Sequence, residues 1–159
     1  MKNIKILLCF AVCYVVINLF HLSSQLIYFD SWKTVYESAL AYEDSFFGKS
    51  SWLIQNVISL TILVGISYTC IALFKILKNG YFNIITSKSF KIGGLLLCFV
   101  AILDFVRAVL EISADYQSEL HIGYLMVNGL LFLIGFGILI ISQIIKKGTQ
   151  IQSENDLTI

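Results

Sequence analysis

Three stretches of the chain are long, apolar and free of charged residues, and this feature restricts the fold more than any other. They cover Ile6–Phe29, Trp52–Phe74 and Ile122–Ile145. A helix needs about 20 apolar residues to cross the hydrocarbon core of a bilayer. Only 13% of the residues are charged, whereas a soluble domain carries about 25%. The sequence therefore predicts an integral membrane protein, and a net charge of +1 gives no sign of direct nucleic-acid binding.

A fourth apolar stretch, Ile92–Ile112, is long enough to span but contains Asp104, Arg107 and Glu111. The three residues follow each other at spacings of three and four, which places them on one face of a helix. An unpaired charge at the centre of a spanning helix costs about 2.5–3.5 kcal/mol on insertion scales. We therefore expect Arg107 to pair with these carboxylates on a face that points away from lipid.

This charged face has two interpretations that the sequence leaves open. The first is an internal ion pair that fixes how the helix packs, and the second is a polar site for a ligand, an ion or a proton. Polar residues of the other spans would complete an intramembrane cluster; these are Asn18, His21, Asn56 and Asn128.

The layout predicts an all-α fold, a four-helix membrane bundle with spans at about 6–29, 52–74, 92–112 and 122–145. Only helices and closed barrels satisfy their backbone hydrogen bonds in lipid. Residues 1–147 form the membrane domain and 148–159 a polar cytoplasmic tail. A signal peptide is the alternative for the first span, but its apolar run is long and lacks a small-residue cleavage site.

The first loop, residues 30–50, has aromatic and aliphatic residues at helical spacing, including Trp32, Tyr36 and Phe47. This pattern predicts a short amphipathic helix at the membrane–water interface, on the side of the membrane opposite the second loop. Trp and Tyr are enriched at such interfaces. The second loop, predicted at 75–91, contains four lysines and no acid. Gly80 is expected to end the second helix, and Thr86 or Ser87 to cap the third.

The lysines are distributed unequally between the two sides of the membrane. With four spans, one side carries eight of them: Lys2, Lys5, Lys75, Lys78, Lys88, Lys91, Lys146 and Lys147. The other side carries only Lys33 and Lys49, among several acids. Cytoplasmic loops are enriched in Lys and Arg, so we expect both termini in the cytoplasm. A phosphatase reporter fused after Lys147 should therefore be inactive.

Neither the cysteines nor the histidines form a metal-binding motif. Cys9, Cys13, Cys70 and Cys98 all lie in apolar runs, where cysteine acts as a small hydrophobic residue. A cation site at the outer loop, from Asp115, Glu119 and His121 with Glu111 and His21, is a minor alternative because the spacing is unspecific. We expect no metal and no cofactor.

Two segments resemble a known family. The first is Phe74-Lys75-Ile76-Leu77-Lys78-Asn79-Gly80-Tyr81-Phe82 with Phe90-Lys91-Ile92-Gly93, and the second is Lys147-Gly148 followed by the ending Glu154-Asn155-Asp156-Leu157-Thr158-Ile159. Both are similar to the family of small bacterial four-helix membrane proteins called domain of unknown function 2975, although Asn83-Ile84-Ile85 replaces residues that are commonly acidic there. The resemblance implies a multi-pass protein of the bacterial cytoplasmic membrane with no assigned activity. Because such proteins are often encoded beside a small helix-turn-helix regulator, it also implies a cytoplasmic partner.

These features are compatible with three functions. The first is a non-enzymatic regulatory or sensor protein that binds a cytoplasmic partner through Lys75, Lys78, Lys88, Lys91, Glu154, Asn155 and Asp156. The second is a small transporter or channel subunit with a polar path at the charged third helix; with four helices it would need to form a homo-oligomer. The third, an intramembrane enzyme, lacks any nucleophile, phosphate-binding or metal motif.

Overall fold

The computed structural model describes residues 2–27, 46–114 and 118–156, and the described residues form four long helices. They are α1 (Lys2–Ile27), α2 (Phe46–Asn79), α3 (Ile84–Ala114) and α4 (Ser118–Asp156). All four are long and apolar enough to cross a membrane. The all-α membrane fold with four spans is confirmed. The amphipathic helix predicted in the first loop lies outside the described residues up to Ser45, and the residues from Phe46 onward belong to α2.

Contacts between the described helices connect neighbours in the chain. α3 packs against α4 most extensively and against α2 on its other side, whereas α1 packs against α2. An apolar cluster joins Ala72, Leu73, Ile76, Phe90 and Ile145, with Ile4 and Leu8 packed against it. The beginning of α1, the α2–α3 connection and the C-terminal half of α4 therefore lie at one end of the bundle. We call it the lysine-rich end, because it carries the eight lysines named above.

Many large apolar side chains are exposed, among them Phe10, Phe20 and Met126, which are 72%, 76% and 68% exposed. In water such a surface would aggregate. In a bilayer it faces acyl chains, which are as apolar as the side chains themselves. The exposure pattern is therefore that of a membrane protein.

The second loop is shorter than predicted, since only residues 80–83 are not helical. α2 ends as expected at Gly80, whose φ of 84° places it in the left-handed region and whose N–H donates to the Ile76 carbonyl oxygen at 3.0 Å. This is the αL helix ending that glycine favours.

The predicted cap of α3 at Thr86 or Ser87 is wrong. The capping residue is Asn83, whose Oδ1 accepts a hydrogen bond from the Ile85 N–H at 2.8 Å. The helix begins earlier because an Asx side chain directly after the glycine turn can satisfy the first free N–H groups. Thr86 and Ser87 are therefore inside the helix, and both are buried.

Candidate functional site

The charged face of α3 contains the expected ion pair. The Arg107 Nε donates to the Asp104 Oδ1 at 2.9 Å, and each side chain is 14% exposed. The pair forms because residues three apart on a helix lie on the same face. Its low exposure shields both charges from acyl chains. The side chain of Glu111 lies outside the described residues.

Helical spacing places the charged face on the side of α3 that carries Gly93, which lies against α2. Gly93 lies so close to α2 that a Cβ there would be 2.8 Å from the Gly65 carbonyl oxygen and 2.9 Å from the Thr69 hydroxyl. Arg107 follows Gly93 by about four helical turns, and Gln55 precedes Thr69 by the same number. Extending the antiparallel alignment therefore places Gln55 at the level of Arg107. The Gln55 Oε1 is buried and accepts no hydrogen bond from the described residues.

The polar residues of the other spans take different positions. Asn18 is half-buried on α1, and its side-chain amide donates to the Tyr14 carbonyl oxygen of the same helix at 2.9 Å. Asn56 is half-buried and has an interaction partner. Asn128 is buried on α4, whereas the side chain of His21 lies outside the described residues. That these residues act as one site stays a prediction.

A second polar contact, which the sequence reasoning missed, joins α3 to α4. The Ser142 hydroxyl donates to the Ser87 carbonyl oxygen at 2.8 Å, and the Ser87 hydroxyl donates to the Ser142 carbonyl oxygen at 2.9 Å. Both serines are buried. Interhelical hydrogen bonds of this kind are a main attraction between helices in lipid. These hydrogen bonds join the two described helices whose contacts are the most extensive.

Residues spaced seven apart on each helix, starting from these serines, are the sequence signal of the α3–α4 interface. On α3, Ser87 is followed by Gly94 and Ala101, and on α4, Ser142 is preceded by Gly135 and Asn128. All six residues are buried. A Cβ on Gly94 would be 2.8 Å from the Gly135 carbonyl oxygen, so the two backbones approach closely. Small residues at regular spacing permit such contact.

The lysine-rich end has one half-buried lysine. Lys75 lies on the last turns of α2, and its Nζ is 3.5 Å from the hydroxyl of the buried Ser89 on α3. Lys78, Lys88 and Lys91 are exposed. These four lysines therefore belong to the helix ends on both sides of the short connection, rather than to a long flexible loop.

The C-terminal segment continues α4 as a helix to Asp156, so its described part is not a separate coil. The Phe82 ring lies against Gly148, where any Cβ would collide with it. Beyond Thr149 the helix continues for seven residues, about 10 Å at 1.5 Å per residue. Residues 150–155 are all exposed. We call residues 150–156 the projecting helix.

The described residues contain no group of three or more His, Cys, Asp and Glu side chains that could hold a metal ion, and their four cysteines are free thiols. The minor alternative of an outer cation site rests on side chains outside the described residues. The expected lack of a metal and of a cofactor stays a prediction.

Comparison with known proteins supports the resemblance of the loop and tail segments. A family model described as protein of unknown function (DUF2975) matches residues 52–159. The chain belongs to this family. No curated protein and no solved structure matches it significantly.

The family match begins at the start of the second span and includes α3, α4 and the tail, but not α1. The helices within the family match are also those that pack most extensively, because the largest contacts among the described helices join α3 to α4 and α2 to α3. The two segments that resemble the family also contact each other, through Phe82 and Gly148.

Proposed function

We propose that this multi-pass membrane protein is a non-enzymatic regulatory protein that holds a cytoplasmic partner at its projecting helix. The observation that carries the proposal is that α4 continues beyond the bundle with every side chain of residues 150–155 exposed. A spanning helix needs only about 20 residues, and α4 has 39. Membrane crossing therefore gives no reason for the ordered extension, whereas presentation of a short helix to a partner does.

The packing of Phe82 on Gly148 supports this proposal. Because the ring occupies the space of a missing Cβ, it holds α4 against the α2–α3 connection directly before the projecting helix begins. A pre-ordered docking element loses less conformational entropy on binding than a disordered one. The contact would thus keep the projecting helix at a defined position for its partner.

The composition of the projecting helix indicates the type of partner surface. Glu154, Asn155 and Asp156 combine negative charge with hydrogen-bonding groups, and Ile151 is 58% exposed. A complementary surface would be basic with an apolar contact at its centre. The family resemblance suggests a small helix-turn-helix regulator, whose DNA-binding face is basic. That Lys75, Lys78, Lys88 and Lys91 take part in the same contact stays a prediction.

The test is a pull-down of cytoplasmic proteins, including any helix-turn-helix regulator encoded beside the gene, with the full-length protein in detergent. We expect recovery of the partner to be lost when residues 148–159 are removed. It should also be lost in the variant Glu154→Gln/Asp156→Asn, which keeps the helix length. The matched control Gln150→Ala/Gln152→Ala changes two exposed residues of the same helix without changing charge and should retain the partner. Equal recovery with all four proteins would contradict the proposal.

A second candidate function, a small transporter or channel subunit, is favoured by one observation. The buried Gln55 Oε1 accepts no hydrogen bond from the described residues, and helical spacing places it near the level of the Asp104–Arg107 pair, which would give the α2–α3 interface polar groups for a ligand or ion. Reconstitution in liposomes provides the test. Ion or solute flux that requires both Asp104 and Arg107 would support this function, whereas flux unchanged by Asp104→Asn and by Arg107→Gln would exclude the path.

A further inference from the structure

We infer that the lysine-rich end binds the phosphate headgroups of anionic phospholipids, and that Lys75 with Ser89 forms its most enclosed position. The inference goes beyond the proposed function and does not rest on it, because that proposal is carried by the exposed residues 150–155, whereas this one is carried by the lysines.

The first observation is the convergence of positive charge from all four helices. The apolar cluster of Ile76, Phe90 and Ile145, with Ile4 packed against it, brings together the segments that carry the eight lysines. The sequence contains no Asp or Glu in residues 2–29, 75–91 or 120–153. A surface of one charge sign at the edge of a bilayer attracts anionic headgroups.

The second observation is the position of Lys75 between two helices. Its Nζ is 3.5 Å from the Ser89 hydroxyl, and Ser89 is 6% exposed. The Ser89 hydroxyl donates to the Ile85 carbonyl oxygen at 3.0 Å, so it can only accept from the ammonium. An ammonium has three donors. A headgroup phosphate at the half-buried Lys75 would accept from the others and would be held more rigidly than at a freely moving lysine.

The third observation decides between a lipid and an acidic soluble protein. Large apolar side chains are exposed directly beside the lysines: Phe74 is 59% exposed, Tyr81 52%, Phe82 50% and Ile85 50%. Aromatic residues are favoured at the level of the headgroups, where their rings contact acyl chains while neighbouring lysines reach the phosphates. A lipid layer covers both kinds of group at once. A soluble acidic partner would satisfy the lysines and leave the apolar side chains beside them in water.

The experiment measures lipid retention by the full-length protein. The protein is reconstituted in nanodiscs of phosphatidylcholine with and without phosphatidylglycerol. After the protein is released from the nanodiscs, the lipids that remain bound to it are counted by native mass spectrometry. We expect the wild-type protein to retain phosphatidylglycerol in preference to phosphatidylcholine. Each lysine near an anionic surface contributes about a fivefold gain in affinity, so Lys75→Gln/Lys88→Gln should reduce the preference by about 25-fold.

Two controls make the result specific. The variant Lys33→Gln/Lys49→Gln removes the same charge from the predicted opposite side and should leave the preference unchanged. The variant Lys75→Arg/Lys88→Arg keeps the charge and should retain most of the preference for phosphatidylglycerol. Inorganic phosphate added during release should not displace the lipid, since the apolar contacts are made only by a phospholipid. Equal retention of the two lipids by the wild-type protein would overturn the inference, as would equal loss of preference in the two glutamine variants.

Discussion

Alanine substitutions at Gly135 and Gly137 should have opposite effects on stability, although the two glycines are only two residues apart on α4. A Cβ on Gly135 would be 2.9 Å from both the backbone nitrogen and the Sγ of Cys98, and 3.1 Å from the Gly94 carbonyl oxygen. A Cβ on Gly137 would meet no atom within 4 Å. The same chemical change therefore tests the tight interface at one position and open space at the other.

The magnitudes follow from packing and helix propensity. Ordinary carbon contacts are about 3.5–4.0 Å apart, so Gly135→Ala must move α3 and α4 apart by roughly half an ångström or more. Overpacking of this kind costs about 1–3 kcal/mol. In addition, the separation stretches the Ser87–Ser142 hydrogen bonds. At Gly137 only the gain in helix propensity remains, and alanine is favoured over glycine there by about 0.5–1 kcal/mol.

The assay is reversible unfolding in mixed micelles with increasing SDS, followed by circular dichroism, for the wild-type protein and both variants. We expect the Gly135→Ala transition at lower SDS than wild type and the Gly137→Ala transition at equal or higher SDS. Destabilisation of both variants by the same amount would show that backbone approach at Gly135 is not what holds α3 to α4. An unchanged Gly135→Ala transition would lead to the same conclusion.

Three further predictions concern polar contacts and the turn. Ser87→Ala and Ser142→Ala should each lower the free energy of unfolding by about 0.6–1.7 kcal/mol, because each removes one hydroxyl donor to a backbone carbonyl of the other helix, and unchanged SDS unfolding of either variant would contradict the pairing. Asp104→Leu alone should destabilise the protein more than Asp104→Leu/Arg107→Leu, because the single change removes the carboxylate that pairs with the Arg107 guanidinium within the membrane. Thermal unfolding in detergent measures which of the two variants is less stable. Gly80→Ala should cost about 1–2 kcal/mol from its positive φ alone, measured by the same unfolding experiment, and Gly80→Asn should cost less.

Short-range features were predicted well from the sequence because their partners are near in the chain. The Asp104–Arg107 ion pair spans one helical turn, and the end of α2 depends on the backbone freedom of Gly80. Four spans follow from the apolar runs alone. The cap of α3 was assigned to the wrong residue because several Ser, Thr and Asn side chains near the turn can each satisfy a free N–H group, and only the backbone path selects Asn83.

Long-range features were not predictable in the same way. Ser87 and Ser142 are 55 positions apart, and their contact requires a particular alignment of α3 with α4. From the sequence, Ser87 is predicted as a possible cap and Ser142 has no predicted role. The position of Gly148 against Phe82 was missed for the same reason, although both residues belong to segments that resemble the family.

The sequence by itself determined that this protein crosses the membrane with four helices and that Asp104 pairs with Arg107. Hydrophobic length and spacing along one helix are local properties, so no other part of the chain is needed to derive them. Only the tertiary structure decided which face of each helix meets a neighbour. In water an apolar stripe marks the buried face, but lipid chains are as apolar as leucine, so apolar residues are equally stable on both faces. In this protein the choice is made by small and hydroxyl-bearing residues at Gly94, Gly135, Ser87 and Ser142, whose fit appears only when the two helices are aligned.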